Sequence, residues 1–246
     1  MSGAVTIRKC EALEEMRACF ALQKEVWNFT DAELVPIRIF VLAAKIGGQV
    51  IGAFDRKELV SFALAIPGMR NGYPFIYSHM LAVRQQYRNG GLGRRMKLFQ
   101  RDDALARGFE LMEWTFDPLE IKNAYFNMER LGAIVRRFVP NQYGMTTSHL
   151  HAGLPTDRLV AEWWVGSERV NATIDGGPFQ RPLPEARVAV PANIAQLRAD
   201  HLERARKIQA GIGEQFQEYF RRGLAVIGFE RTAEAGVYLI GKWESS

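Results

Sequence analysis

The chain has 246 residues, 48% hydrophobic and 24% charged, which is ordinary for a globular protein. Its formal charge of +5 favours anionic ligands but does not indicate nucleic acid. No apolar run approaches the ~20 residues of a membrane span, residues 1–10 are too polar for a secretory signal, and Cys10 and Cys19 have no metal-like neighbours. We therefore expect a cytoplasmic protein with reduced thiols that binds neither nucleic acid nor membrane.

The first part of the chain alternates between strand and helix patterns. Apolar residues recur at helical spacing before Trp27, and two apolar runs flank the polar turn 55–58. For the segment 30–46 the sequence leaves two alternatives, a short helix after Pro36 or an extended segment. In chain order we predict a strand at 5–8, a helix at 11–27, strands at 49–54 and 59–66, and a flexible surface loop at 67–74.

The middle of the chain predicts a parallel crossover. An apolar strand at 75–83 is followed by a glycine turn and by a helix at 92–107, which Gly108 ends. The apolar run 109–116 is typical of a strand covered on both faces. A strand, a helix and a second strand in this order form a βαβ unit. A further helix is predicted at 119–131 and ends at Gly132.

The last hundred residues predict a separate small module. A long loop at 140–156 precedes a strand at 158–165, and the glycine- and proline-rich stretch after it predicts a linker. Asn193 is placed to cap a helix in which Ile208, Ile212, Phe216 and Phe220 share one face. Strands at 187–190, 224–229 and 237–242 complete a strand–helix–strand–strand module.

The turn Arg88-Asn89-Gly90-Gly91-Leu92-Gly93 is the main candidate for a ligand site. It opens a helix, where unpaired backbone amides and the helix dipole attract anions. Glycines leave those amides unshielded, so a phosphate can approach closely. The alternative is a solvated turn without a ligand, and the flanking strand and helix argue against it.

This part of the chain resembles the GNAT superfamily of acyl-CoA-dependent N-acyltransferases. The family signature is Gln or Arg, two residues, Gly, one residue, and Gly or Ala, which Arg88, Gly91 and Gly93 match. The match begins five residues after Val83, the end of the preceding strand, as in the family. Asn123 and the pair Leu131-Gly132 fit a second family feature. The resemblance covers roughly residues 4 to 165. More narrowly, residues 148–163 resemble a bacterial subgroup of predicted acetyltransferases, which also carries a C-terminal module like residues 187–243.

The resemblance implies an α/β (α+β) fold with a GNAT-like mixed, mostly antiparallel sheet. It implies a central splayed pair of parallel strands and helices on both faces. The C-terminal module would be added to it. The expected domains are a GNAT-like acyl-CoA-binding domain at 1–166, a linker at 167–186 and an α/β module at 187–246 packed on the first domain. The module could complete the sheet, cover the acceptor cleft or form a dimer interface.

The resemblance also implies the donor site. In GNAT proteins the coenzyme A pyrophosphate lies on the glycine turn, and the pantetheine arm pairs with the exposed edge of the preceding strand. The co-substrate would be acetyl-CoA or another acyl-CoA, and no metal is expected. The implied cofactor-binding residues are Leu81, Ala82, Val83, Arg88, Asn89, Gly90, Gly91, Leu92, Gly93, Arg94 and Asn123.

The catalytic groups follow the family pattern less closely. Many members carry a glutamate on the strand matched by 75–83, which here has no carboxylate, so His79 is the candidate base. The alternative is that His79 is a sheet residue or an acceptor contact. Met128 stands where many members have a tyrosine. Tyr125, about 60° away around the helix, is the substitute candidate for the acid.

The expected reaction is transfer of an acetyl or other short acyl group to a primary amine of a small molecule, such as an amino acid, in a ternary complex. A non-catalytic acyl-CoA-binding regulatory protein is the alternative. Acylation of a protein lysine is a third possibility, and a homodimer is compatible with the sequence. The resemblance and residue chemistry nominate acceptor-side residues: Trp27, Phe29, Arg38, Phe40, Tyr143, Ser148, His149 and His151. The two histidines resemble a metal pair only superficially.

Overall fold

A computed structural model of the protein describes residues 5–28, 30, 33–144 and 153–243. The chain divides into two compact units, residues 1–113 and 114–246. In the described part of the chain, no helix is long and apolar enough to cross a membrane. The elements of the first unit are β1 (Thr6–Lys9), α1 (Leu13–Trp27), α2 (Ile37–Lys45), β2 (Gln49–Asp55), β3 (Glu58–Arg70), β4 (Tyr73–Val83), α3 (Leu92–Ala106) and the start of β5 (Leu111–Phe116).

The sheet of the first unit has the order β1-β2-β3-β4-β5. The first three pairs of strands are antiparallel. β4 and β5 run parallel, with Ile76 opposite Met112 and Tyr77 opposite Glu113, which confirms the predicted crossover through α3. This is the predicted mixed, mostly antiparallel sheet with one parallel pair.

Helices cover both faces of this sheet, as predicted. On one face α1 and α2 contribute Cys19, Leu22 and Phe40 to a core that includes Phe62 and Met80. On the other face α3 places Leu92 and Met96 against Ile51, Val60 and Ala63. Successive strand residues point to opposite faces, so the apolar runs of β2 and β3 serve both cores.

The predicted surface loop at 67–74 is wrong. β3 continues to Arg70 and β4 begins at Tyr73, so the segment forms a hairpin around Asn71-Gly72. Both turn residues have positive φ, 50° and 82°, as in the two-residue turns that best fit twisted strands. Pro67 is tolerated because β2 pairs with β3 only as far as Ala65, so the missing N–H lies on an edge.

The second unit continues from Trp114. Its elements are the rest of β5, α4 (Ile121–Tyr125), a π-helical turn (Phe126–Arg130), β6 (Ile134–Val139), β7 (Arg158–Trp164), α5 (Glu168–Asp175), β8 (Ala186–Pro191), α6 (Ile194–Asp200), α7 (Leu202–Arg221), β9 (Ala225–Arg231) and β10 (Ala235–Gly241). Its strands follow the order β7-β6-β9-β10-β8. β9 pairs antiparallel with β6 through Val226 and Val135, so the C-terminal strands extend the sheet that β6 and β7 begin.

Two predictions about the C-terminal third are corrected. The stretch expected to be a linker contains α5, which Ser167 caps by accepting a hydrogen bond from the N–H of Val170. The single helix expected after Asn193 is two helices, because His201 leaves helical geometry at φ −142° and ψ 62°. Asn193 precedes α6 but makes no side-chain cap. The domain limits at 166 and 187 remain predictions.

Candidate functional site

The glycine turn lies where α3 begins, at the end of the segment that follows β4. Gly91 is the N-cap residue with φ 79°, and Asn89 also has positive φ. The first bond of the helix joins the Arg95 N–H to the Gly91 carbonyl, so the Leu92 and Gly93 amides have no acceptor within the helix. The geometry is that of an anion-binding helix start.

The space around the turn is open. A Cβ built on Gly91 would meet no atom within 4 Å, and one on Gly93 would only touch Val83 Cγ2 at 4.0 Å. Packing against the protein therefore does not demand glycine at position 93, and the open space leaves room for a ligand to approach the amides. The residues fit a diphosphate lying on their amides.

Side chains fix the turn to the sheet. Arg88 Nε donates to the Val83 carbonyl at 2.9 Å, and the Tyr87 hydroxyl donates to Asp55 Oδ2 at 2.7 Å. Arg84 forms ion pairs with Glu25 and Glu58. The Arg88 side chain therefore anchors the end of β4, and its contribution to a ligand site would come from its backbone.

The two arginines that follow the turn have different surroundings. Arg94 is partly buried on the first turn of α3. Arg95, the next residue, donates to the Val5 carbonyl at 2.7 Å. Its guanidinium is thus bonded to the chain just before β1.

β4 carries a bulge at His79. Met80 pairs with Leu64 and Ser78 pairs with Ala65, so His79 has no partner residue on β3. The bulge directly follows the described pairs of β4 with β5 at Ile76 and Tyr77. Bulges of this kind redirect a strand and often lie beside functional sites.

The edge residues expected to contact the pantetheine arm come after this bulge. Leu81 and Val83 are partly buried and pack on the α3 side of the sheet, whereas Ala82 is fully buried. β5 ends at Phe116. In the register that places Ile76 opposite Met112, no β5 residue lies opposite Leu81, Ala82 or Val83. Their backbone therefore extends beyond the length of β5, towards the glycine turn.

His79 is solvent-accessible and lies near Tyr77, with 6.3 Å between ring centroids. Nearby protein still lowers the pKa of His79 below its ordinary value of 6.5, because partial desolvation disfavours the imidazolium. The ring is consequently neutral at pH 7 and able to accept a proton.

An ion pair with a buried carboxylate, which the sequence reasoning missed, lies on the same face as Tyr77. Glu113 stands opposite Tyr77 in the parallel pair, and residues paired in this way point to the same face of a sheet. The Glu113 carboxylate is buried and contacts Arg70 Nη1 at 2.5 Å, while Arg70 also covers the Phe75 ring. A signal existed in the sequence, since Glu113 is the only charged residue of the run 111–116.

The remaining predicted donor and catalytic residues belong to the second unit. Asn123 is exposed on α4. Tyr125 is partly buried, and the Arg231 guanidinium lies 5.4 Å from its ring centroid. Met128, at the position of the family tyrosine, is buried at 1% exposure. The π-helical turn that contains it follows Tyr125 directly.

The predicted acceptor-side residues fall into three groups. Phe40 is fully buried and packs edge-on against Phe62, so it belongs to the core, whereas Trp27 is partly buried and Arg38 is exposed. In the second unit the Tyr143 hydroxyl lies 3.3 Å from that of Thr115. The others lie outside the described residues: Phe29, Ser148, His149 and His151.

Comparison with known proteins identifies the fold. The chain superimposes on yncA from Salmonella typhimurium, assigned as an acetyltransferase and solved with its cofactor acetyl-CoA, with a TM-score of 0.55 and 16% identity over 68% of this chain and 96% of that one. An assigned GNAT acetyltransferase from Desulfovibrio desulfuricans matches with a TM-score of 0.54 and 16% identity over 66% and 100% of the two chains. Aminoglycoside 6′-acetyltransferase type Ii matches with a TM-score of 0.52 and 18% identity over 66% and 99%.

The chain thus has the fold of the GNAT acetyltransferases. These solved chains cover about two-thirds of it, and the remaining third is an addition to the shared fold. No family model matches the sequence. No curated protein matches it either.

Proposed function

We propose that the protein is an acyl-CoA-dependent N-acyltransferase that moves an acetyl or other short acyl group to the primary amine of a small molecule. One observation carries the proposal. The bulge at His79, the residues Leu81–Val83 beyond the length of β5 and the open turn at Gly91 follow one another along the chain. In this order they would receive the thioester, the amide-containing arm and the diphosphate of the donor.

In this path each donor group has a physical role. Amides of the turn from Arg88 to Gly93 would hold the pyrophosphate, with Arg94 adding positive charge nearby. The backbone of Leu81, Ala82 and Val83 would pair with the amides of the pantetheine arm. Asn123 remains a candidate for contact with the same arm.

Transfer requires a neutral amine that attacks the thioester carbonyl and then loses its proton. His79 would take that proton, directly or through water, because its imidazole is neutral at pH 7. Backbone N–H groups of the bulged strand would stabilise the oxyanion that forms during attack. The departing thiolate would gain a proton from Tyr125 or from water. Fixed positioning of the two reactants supplies much of the acceleration.

The Arg70–Glu113 pair supports an amino acid or a similar zwitterion as the acceptor. An arginine binds a carboxylate through a planar, two-point contact, and a glutamate attracts an ammonium group. Both charges lie on the face of β4 that carries Tyr77. One solved structure of the same fold, at 18% identity, is an aminoglycoside 6′-acetyltransferase, so aminoglycosides also belong among the acceptors to test.

Calorimetric titration with acetyl-CoA, followed by thiol release over a panel of amino acids, polyamines and aminoglycosides, tests the proposal. Gly93→Asp should weaken acetyl-CoA binding about tenfold or more, because its carboxylate would face the pyrophosphate. Its folding should be unimpaired, since an acidic residue is favourable in the first turn of a helix. Gly93→Ala is the matched control, because the family signature allows alanine there.

A non-catalytic acyl-CoA-binding protein is the second candidate. The burial of Met128 where many relatives have a tyrosine favours it. Tight acetyl-CoA binding without thiol release on any amine would support this candidate. The absence of binding by the wild-type protein would contradict both.

A further inference from the structure

A chain of buried polar side chains lies between α3 and the sheet. Lys97 Nζ donates to Ser78 Oγ at 2.9 Å, and Ser78 Oγ donates to Gln100 Oε1 at 3.1 Å. Gln100 Nε2 donates to Gln49 Oε1 at 3.1 Å, and Gln49 Nε2 donates to Asp103 Oδ2 at 2.9 Å. We call these five residues the α3 polar network. It joins three elements, α3, β4 and β2, beneath the sheet.

The network meets β4 at the residue next to the bulge. Ser78 is the last residue that pairs with β3 before the unpaired His79. It is also the residue that follows Tyr77, the last described partner of β5. Whatever fixes the Ser78 side chain therefore fixes the point at which β4 changes direction.

Burying a lysine side chain at this position costs free energy. The Lys97 side chain is only 3% exposed, and desolvation lowers its pKa to about 7. Its neighbour Met96 shows that α3 accepts an apolar side chain against the sheet. Replacing buried charged groups by apolar residues of similar size is often neutral or stabilising, so stability alone does not explain the lysine.

The other charged and titratable groups of this region do not offer the same contact. Asp103 is engaged by Lys9 and Arg107 at the far end of α3. His79, the bulge residue itself, is exposed and lies by Tyr77. Lys97 is thus the titratable side chain of the network that contacts β4 beside the bulge, through Ser78.

We propose that Lys97 is a positioning residue that acts through Ser78 to hold the bulged part of β4 in the geometry that receives the acyl thioester. The role rests on the proposed function, since it assumes that the donor follows β4 to the turn. Lys97 lies on the helix whose first turn would carry the pyrophosphate. One rigid helix would then locate both ends of the donor: the diphosphate at its start and the thioester through Lys97.

A double-mutant cycle tests this role in the full-length protein. The variants are Lys97→Met, Ser78→Ala and the pair together, with Lys45→Met at the exposed end of α2 as the matched control. The measured quantities are the dissociation constants for acetyl-CoA and for 3′-phospho-ADP, the nucleotide part of coenzyme A. Amide hydrogen exchange of the peptide 75–83 reports the strand itself.

We expect each single variant to weaken acetyl-CoA binding about tenfold while 3′-phospho-ADP binding stays within about twofold. The double variant should be no weaker than the single ones, since both remove the same contact. Exchange within 75–83 should become faster, and Lys45→Met should match the wild type in all three measurements.

Three results would overturn the proposal: additive effects, an equal loss for both ligands, or variants that behave like the wild type. If the wild-type protein binds both ligands and the variants bind them equally well, Lys97 has no positioning role, but the proposed donor site still stands. A wild-type protein that binds neither ligand removes the proposed function and this role together.

Discussion

The hydroxyl of Tyr238 donates a buried hydrogen bond of 2.7 Å to the carbonyl oxygen of Pro118, 120 residues earlier in the chain. The Tyr238 ring lies edge-on to Phe216 and Phe229. Burial raises the pKa of this phenol well above 10, so it remains a donor throughout the physiological range. The C-terminal strands and α7 therefore share one core with the loop that follows β5.

Truncation after Gly166 should prevent correct folding of the second unit. The shortened chain would lose β9, the partner of Val135 on β6, and the Arg198 ion pairs with Asp117 and Glu120. We expect an insoluble or partly unfolded product, measured by soluble yield and by circular dichroism on heating. A soluble fragment that still bound acetyl-CoA would show that the C-terminal third is dispensable.

Glu15→Gln should destabilise the protein at neutral pH by about 1 kcal/mol. Arg8 and the amides of Glu11 and Ala12 bind the carboxylate and lower the pKa of Glu15 to about 2. Because the folded-state pKa lies below the ordinary value of 4.5, the stabilisation is present above pH 4.5 and is lost as the pH falls towards 2. Urea unfolding of both proteins between pH 7 and 2.5 measures this. A difference that stays constant with pH would contradict the assignment.

Two glycine substitutions should have opposite effects on stability. Gly72→Ala should cost about 1 kcal/mol, because φ is 82° in the hairpin turn and a Cβ is strained there. Gly211→Ala should stabilise by about 0.5–1 kcal/mol, because the residue lies inside α7 with open space around its Cα. Thermal unfolding of the two variants gives the comparison. Effects of the same sign would contradict the turn geometry.

His79→Gln should change the pH profile of acyl transfer. Desolvation lowers the pKa of His79 below 6.5, so wild-type kcat/KM, expressed per concentration of neutral amine, should fall only on the acid side of that value, as the ring gains a proton. The variant should be slower on the alkaline plateau and should lack that fall. Steady-state thiol release with the best acceptor from pH 5 to 8 measures both. An unchanged profile would assign His79 to the sheet alone.

Sequence patterns predicted the elements that depend on local periodicity. The helix from Leu92 and the parallel strands around it follow from apolar spacing and from the glycines at either end. The hairpin at Asn71-Gly72 was missed although Asn-Gly is a strong turn signal. The sequence indicated a loop because of Pro67, Gly68 and Pro74. The strand tolerates Pro67 because β2 ends opposite Ala65, which the sequence does not reveal.

The site was predictable only where one segment forms it. The glycine turn is contiguous, and its chemistry could be derived from its own residues. The bulge at His79 depends on the register of β3 against β4, and the partnership of Arg70 with Glu113 joins residues 43 positions apart. Neither relationship has a periodic signal, because pairing across a sheet is fixed by tertiary packing.

Because the glycine turn lies at the first turn of α3, donor binding should be detectable as a change in protein stability. This helix packs on β2, β3 and β4, so a ligand held at its first residues would be bonded to a helix that contributes to the core of the first unit. Donor binding would then raise the free energy of unfolding. The increase grows with the logarithm of the ligand concentration once that concentration exceeds the dissociation constant. Thermal-shift measurements could rank acyl-CoA donors before any acceptor is known.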